Sequence, residues 1–494
     1  MLDLSKMLRV LRGRVRVPVL SRDGGTSGRD QLKRTVLYSN YIEGMRKGLF
    51  IFRRDLRTKD NLALNKLCAA CDKVVCVFVF SEEQIERSRN PFFGEPSFRF
   101  MLESLEDLRD QLSGKLILLK GDTVPLLRQI RTSWKFESVA FNEDYTPYAR
   151  DRDRKIKAWC EKEGIGCHTD ADYTLHSPEE VRTKTGEVYR MFTPFYRTAS
   201  ALRVGEPAKA APDNTVSMSS KSLPTVSLKE LFEEYPSNEE VVVRGGRTSG
   251  LKRLRNSTEG YTKARDTLHE FTTLMGAYIK FGCVSVREVY AVFRKVELLK
   301  RQLYWREFYA YVVYHTPEVL SESRNYDTAV NVKWVVSEDA FRKWCEGRTG
   351  FPLVDAGMRQ MNRIGWMHNR ARMVTASFLV KHLGIDWRKG ERYFATKLVD
   401  YDPCNNNGGW QWSASTGTDA QPYFRIFNPW TQNKTHDPRC EYVRRWIPEL
   451  RDVPVKHILR WYEHHQDHSD TTYPPPMVVH EEARKASLAR FKKN

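Results

Sequence analysis

The chain has 494 residues, a formal net charge of +19, 29% charged residues and a mean hydropathy of −0.58. That length suits two to four domains and a large core, and the longest apolar run, residues 74–80, falls far short of the ~20 residues a membrane helix needs. Nine cysteines are too sparse and odd in number for a disulfide scaffold and read as reduced thiols, while 12% aromatics on a basic chain point to a polyanionic partner and something planar to stack.

Residues 1–47 carry 11 Lys/Arg against 4 Asp/Glu. This basic extension reads equally as an organellar transit peptide, a disordered arm or an upstream artefact of the gene model. From residue 48 to about 180 the pattern changes. Residues 49–52, 74–80, 116–119 and 139–141 are apolar, partly β-branched runs of strand length. Phe100, Met101, Leu105, Leu108 and Leu112 recur at helical spacing between them. Strands alternating with helices predict an α/β domain with a parallel, Rossmann-like sheet over 48–180.

Residues 181–250 read as a long linker, punctuated by Pro207, Pro212, Pro224 and Pro236 and by serines at 217–222. The glycines at 245, 246 and 250 suggest a phosphate loop, but the Lys-Ser/Thr ending is missing, so a helix-entry turn is expected. From 251 to 466 strand signals nearly vanish. Helices are predicted at 261–271, 285–314, 338–347, 354–364 and 369–383, which makes an all-α domain holding most of the tryptophans. Residues 467–494 read as a polar tail.

Hydrolytic chemistry finds no support: there is no nucleophile elbow, no H-E-x-x-H and no complete Walker loop. Cys68 and Cys71 lie on a predicted helix, and no second Cys pair or His pair is read at zinc spacing, so no metal is expected. Two segments stand out instead. At 365–373, Trp366, Asn369, Arg370 and Met373 share one helical face and Arg372 points elsewhere, which suits a planar ligand beside an ion pair. At 400–412, three Asn and two Gly open the backbone to close approach. Trp410 and Trp412, two residues apart, point about 200° away from each other on a helix.

These strings resemble the photolyase/cryptochrome family, most closely its class I cyclobutane pyrimidine dimer photolyases. The matching runs are 351–360 (FPLVDAGMRQ), 365–373 (GWMHNRARM), 385–394 (IDWRKGERYF), 406–429 and 442–454. Weaker matches reach back through 305–309 (WREFY) and 277–285 to 52–57 (FRRDLR), so the resemblance covers about 48–460. It implies an α/β domain, a linker and an all-α FAD-binding domain acting by light on UV-damaged DNA. A second, light-harvesting chromophore (a folate, a deazaflavin or a flavin) is left open. The family also implies a monomer in a compartment with access to DNA: nucleus or cytoplasm, or an organelle if the basic extension targets one.

Residue roles follow from the same resemblance. Asn406 would face flavin N5, Arg372 would pair with Asp400, and Asp402 would contact the ring edge. Tyr261, Thr272, Thr273, Leu274, Met275 and Gly276 would approach the flavin phosphates, although Gly276 replaces a hydroxyl residue of the family pattern. Trp410, Trp387 and Trp334 would form an electron path to the surface. Arg265 would meet the DNA backbone. Trp305 and Trp412 would wall the flipped lesion, with Asn369, Arg370 and Met373 completing its pocket. Gln302 stands where class I enzymes carry Glu, as in the (6-4) branch. That branch, however, has two adjacent His where this chain has His368 and Asn369. The implied reaction is therefore dimer splitting, with a (6-4) photolyase and a cryptochrome photoreceptor as alternatives.

Overall fold

In the computed structural model five strands form one sheet: β1 (Lys47–Phe52), β2 (Lys73–Phe80), β3 (Leu116–Lys120), β4 (Ser138–Asn142) and β5 (Gly166–Asp170). The structure describes residues 45–208, 211–320 and 332–492, so the basic extension lies almost wholly outside the described residues. All strands run parallel in the order β3-β2-β1-β4-β5. β1 is central, with Leu49 opposite Val75 on one side and Val139 on the other. Crossover helices α1 (Leu62–Ala70), α2 (Glu95–Gln111), α3 (Thr123–Ser133) and α4 (Pro147–Lys162) connect them. The strand order reverses between β1 and β4, leaving a crevice at their C-terminal ends. β5 (GCHTD) was not expected: it is a polar, half-buried edge strand with no apolar run.

Alternation along the strands assigns the two faces of the sheet. Leu49, Ile51, Val75 and Val77 pack with Leu126, Leu127, Ile130, Ile156 and Trp159 of α3 and α4. Phe50, Phe52, Phe78 and Phe80 turn the other way, into a core shared with the helical part of the chain. Phe100 of α2 stacks there on Phe281 at 5.4 Å. The two predicted domains therefore share one apolar interior.

The linker is more ordered than its composition suggests. α5 (Phe192–Ala199) packs on the helical part, and Thr215 and Thr225 bridge to Val74 and Leu119. The glycine pair at 245–246 opens α6 (Arg247–Arg255), a helix entry as expected, with Gly246 at φ 96°.

The helical part contains α7 (Glu297–His315), α8 (Pro352–Ile364), α9 (Asn369–Ser377), α10 (Trp387–Lys397), α11 (Pro403–Ala414) and α12 (His480–Phe491). Pro352 starts α8, and Gly365 ends it in the left-handed region at φ 68°. Asp386 and Asp402 cap α10 and α11 through their side chains. Three expectations are corrected. The helix predicted at 261–271 stops at Ala264, because Asp266, Thr267, Thr272 and Thr273 favour turns. The helix predicted at 285–314 breaks between Phe293 and Glu297. The polar tail folds as α12 against the domain, with Phe491 1% exposed and Lys381 above its ring at 3.4 Å.

Candidate functional site

The FRRDLR run after β1 lies between the sheet and the helical part, and each charged side chain in it has a buried partner. Arg53 pairs with Asp153 at 2.6 Å. Arg54 reaches Asp144 at 2.7 Å and Asp402 at 2.8 Å, and lies over Tyr173. Asp55 accepts from Asn142 Nδ2 at 2.6 Å. Arg57 and Arg287 share the buried Asp172. Burial opposes the ionisation of Asp402, yet Arg54 and Arg306 nearby, with donated bonds from Tyr173 and Asn405, hold its carboxyl well below the usual range. Asp402 Oδ2 takes Arg54 and Tyr173, and Oδ1 takes the Asn405 backbone and side-chain amides. This carboxylate, expected at a flavin edge, thus takes four donors from the seam and the helix cap.

Asp400, two residues earlier, is left open. Arg372 Nη2 bonds both its oxygens, at 3.1 and 2.9 Å, while Arg372 Nε donates to Met367 O. Among the described residues Asp400 has no other hydrogen-bond partner. Gly276 sits against it, and a Cβ there would come within 2.9 Å of Asp400 Oδ2. This chain thus has a steric reason to lack the family's hydroxyl at 276. Leu274 adopts a left-handed φ of 54°, its side chain and that of Met275 are buried, and Thr273 Oγ1 accepts the Met275 N–H. Only the backbone of residues 274–276 and the half-buried Thr272, Thr273 and Tyr261 remain for a ligand. Asn406 donates its Nδ2 to Glu391 O at 3.0 Å, which leaves its Oδ1 without a donor among the described residues. An arginine–carboxylate pair, half-buried hydroxyls, backbone N–H groups and a fixed amide oxygen together form a donor and acceptor set that fits a flavin dinucleotide.

The expected lesion face is also brought together in part. On α7, Gln302 is exposed one turn before Trp305. Trp305 stacks on Phe192 of α5, 3.7 Å between centroids and 7° between planes, and Arg301 lies over Phe192 at 5.0 Å. Phe192 was missed because it belongs to the presumed linker. At the start of α9, the exposed Asn369 lies 3.7 Å from Met373 Sδ. Arg370 is held by Asp266 at 2.5 Å, and Arg265 is 3.6 Å from the same carboxylate. Trp412 is half-buried on the side of α11 away from Trp410. After α11, Tyr423 and Phe424 (62% exposed) form an apolar loop that sequence reading also missed.

His368 caps α9. Its Nδ1 accepts Arg370 N–H and its Nε2 donates to Ala264 O at 3.0 Å. Burial, with Arg370 and Arg372 close by, pushes its pKa down to about 4, so the ring is neutral near pH 7.

Among the tryptophans, Trp410 is 2% exposed and packs edge-on against Phe394 at 4.9 Å and Trp344 at 6.1 Å. Trp387 starts α10 one turn before Gly390, and a Cβ at Gly390 would come within 2.2 Å of the Trp410 ring. Trp387 and that contact point therefore share a helix face. Trp334 packs on Phe491 of α12 at 6.0 Å. Trp344 was not singled out, since nothing in its local sequence distinguishes it from an ordinary core residue.

A cavity of about 790 Å³ opens at the β1/β4 crevice, lined among others by Arg53, Arg54, Phe92, Tyr148, Lys280 and Tyr401. Burial, reinforced by Arg54, pushes Lys280 down to about 7. The expectation that no histidine pair stands at zinc spacing is corrected. His464 and His468 are four residues apart, and His457, His464 and Asp467 do converge. Their ligand atoms come from short helical turns on both sides of position 466, where the polar tail was expected to begin.

Residues 49–213 match the family model for DNA photolyase, and residues 298–493 match that for the FAD binding domain of DNA photolyase. The chain is 36% identical over 488 residues to a deoxyribodipyrimidine photo-lyase of Halobacterium salinarum, covering 90% of this chain and 98% of that one.

The chain belongs to the DNA photolyase family.

Solved photolyase-fold structures agree. An archaeal photolyase from Sulfolobus tokodaii with two FAD molecules is 37% identical, with a TM-score of 0.81, covering 90% of this chain and 99% of that one. A cryptochrome from Synechocystis is 25% identical, with a TM-score of 0.80, covering 90% and 99%. Photolyase and cryptochrome thus share this fold, and the choice between repair and signalling rests on individual residues. No helix among the described residues is long and apolar enough to cross a membrane.

Proposed function

We propose that this photolyase repairs UV-damaged DNA by splitting cyclobutane pyrimidine dimers under light. Reduced FAD, when bound, supplies on excitation the one electron that lets the dimer's two carbon–carbon bonds break, and recovers it afterwards. The observation that carries the reading is Asn406, whose Nδ2 is committed to Glu391 O, so that Oδ1 is the acceptor offered to a protonated ring nitrogen. An amide does not titrate there, which suits a cofactor kept in one reduced state.

Arg372 and Asp400 hold the ring's polar edge, while Tyr261, Thr272, Thr273 and the backbone of 274–276 hold the phosphates. Trp305, backed by Phe192, and Trp412 give the extruded pyrimidines the stacking they lose on leaving the duplex. Gln302, Asn369, Arg370 and Met373 line the pocket between those walls, and Arg265 neutralises a phosphate. Tyr423 and Phe424 hold open the gap left in the duplex. Trp410, Trp387 and Trp334 would relay electrons from an external reductant at the surface towards the bound cofactor, with Trp344 packed beside the first of them. The crevice cavity takes the second, light-harvesting chromophore.

Illuminating the pre-reduced protein with dimer-containing DNA tests the reading. Loss of dimers only in the light is the expected result; full retention of dimers with FAD bound refutes it. Gln302 favours a second reading, (6-4) repair. Against it, His368 is neutral with both nitrogens engaged, and the Asn369 amide is no general acid. The same assay with (6-4) lesions decides between them.

A further inference from the structure

We propose that His457, His464 and Asp467 form a site for a divalent transition-metal ion, Zn²⁺ by ligand chemistry, which the photoreaction does not use. One ligand atom from each of the three lies within 4.8 Å of the others. Four of the chain's 12 histidines fall within residues 457–468.

Local folding explains the convergence. The helical turns Val455–Ile458, Trp461–His464 and His465–His468 follow one another around Trp461. Trp461 is fully buried, and its Nε1–H is tied to Pro474 O at 2.9 Å, so it serves as a rigid pivot. The rings of His457 and His464 stack around it, 4.2 Å apart and 9° from parallel.

The second layer has the form a metal site needs. His457 Nδ1 lies 2.7 Å from His468 Nε2. An Nδ1–H donated to His468 fixes the tautomer of His457 and leaves its Nε2 lone pair for the ion, as metal-ligating imidazoles are usually held. Asp467 Oδ2 is already 2.8 Å from His464 Nδ1 and brings a negative charge.

Two imidazoles and one carboxylate select zinc over magnesium or calcium, which prefer all-oxygen shells. Tetrahedral coordination at zinc–ligand distances of about 2.1 Å requires ligand atoms roughly 3.4 Å apart. His464 and Asp467, both partly solvated, have the freedom to close that distance. The fourth position is left to water. Bound metal would tie together the three turns on which Trp461 and the chain leading to α12 rest.

The test is calorimetric titration of ZnCl₂ into the untagged, full-length, FAD-loaded protein, repeated with CoCl₂ while following visible absorption. One saturable equivalent and a tetrahedral cobalt spectrum are expected. His457→Asn and His464→Asn should each weaken binding by about tenfold or more. His465→Asn should leave it unchanged, since His465 Nδ1 faces Trp461 O at 3.3 Å and lies outside the set. Flavin absorption and circular dichroism confirm that each variant is folded. No saturable binding, or binding by the His457→Asn and His464→Asn proteins equal to the parent, overturns the proposal.

Discussion

Two arginines of this molecule pair with carboxylates, and they are finished differently. Arg54, in the seam between the sheet and the helical part, is shared by Asp144 and Asp402 and stacks on Tyr173. Asp402 in turn has four donors. Arg372, on the proposed flavin face, has Asp400, and among the described residues Asp400 has only Arg372 as a hydrogen-bond partner. In the seam every arginine of the run is ion-paired and the pairs hold two layers together, although Arg53 Nε, Arg53 Nη2, Arg54 Nε and Arg57 Nε have no hydrogen-bond partner among the described residues. A binding site must keep polar capacity unspent until its ligand arrives, so the flavin face is left half-filled.

Stability shows the largest expected difference. Arg54→Ala takes the shared guanidinium from the half-buried Asp144 and the buried Asp402 and should cost about 3–5 kcal/mol, measured by urea unfolding. Arg372→Ala, on a part-exposed pair, should cost about 1 kcal/mol in the flavin-free protein yet abolish FAD retention on gel filtration. Equal losses of stability at the two positions would erase the distinction between seam and face.

The electron path gives the next effect. Trp387→Phe should slow photoreduction of oxidised flavin by about tenfold or more, while dimer splitting by pre-reduced protein stays at the parent rate. Parallel loss of both activities would move Trp387 from electron transfer to packing, because its face of α10 also abuts Trp410 through Gly390.

Much of the seam was not legible in the sequence, although the run that builds it was noticed. FRRDLR drew attention only by its resemblance, because its partners lie far along the chain: Asp402 is 348 residues from Arg54, and Asp172 is 115 from Arg57. Local periodicity carries no information about such pairs. The flavin face was more readable. Arg372 and Asp400 lie in dense motifs, and spacing alone put Arg372 off the face of Trp366 and Met373. The strands at 49–52 and 74–80 were readable for the same reason, being apolar on both faces. Phe192 was lost because proline and serine around it marked a linker, and β5 because an edge strand needs no apolar run. The His457 cluster was lost because its ligands straddle an expected domain end.

Proton linkage separates the two regions by sign. Glu391, whose carbonyl holds Asn406, has its side chain in the interior, and burial raises its pKa to about 7, against opposing help from Asn407 and Arg392. A raised carboxyl stabilises the fold while protonated. That contribution is complete below the unfolded value of 4.5 and is lost as pH rises towards 7. Asp402 behaves oppositely, because a depressed carboxyl contributes above its ordinary value of 3.8 and is lost only as pH falls below it. Glu391→Gln should therefore flatten the pH dependence of unfolding across this window, removing a fall of about 1–3 kcal/mol. An unchanged profile would mean that Glu391 is already ionised in the fold.

Arg265 offers the smallest effect and the finest test of the face. It is partly exposed and 3.6 Å from Asp266, which is also bound by Arg370 at 2.5 Å. Because Arg370 already occupies that carboxylate closely, Arg265 retains most of its charge for an outside partner. If it neutralises one DNA phosphate, Arg265→Ala should weaken binding to damaged and undamaged duplexes alike and lower the salt slope of log K by about 0.9. Arg370, pinned at shorter range inside the proposed lesion pocket, should act instead on damaged DNA alone when changed to Ala. Should both variants lose affinity for undamaged DNA with equal change in slope, Arg370 belongs to the backbone-contacting surface and the pocket must be drawn without it.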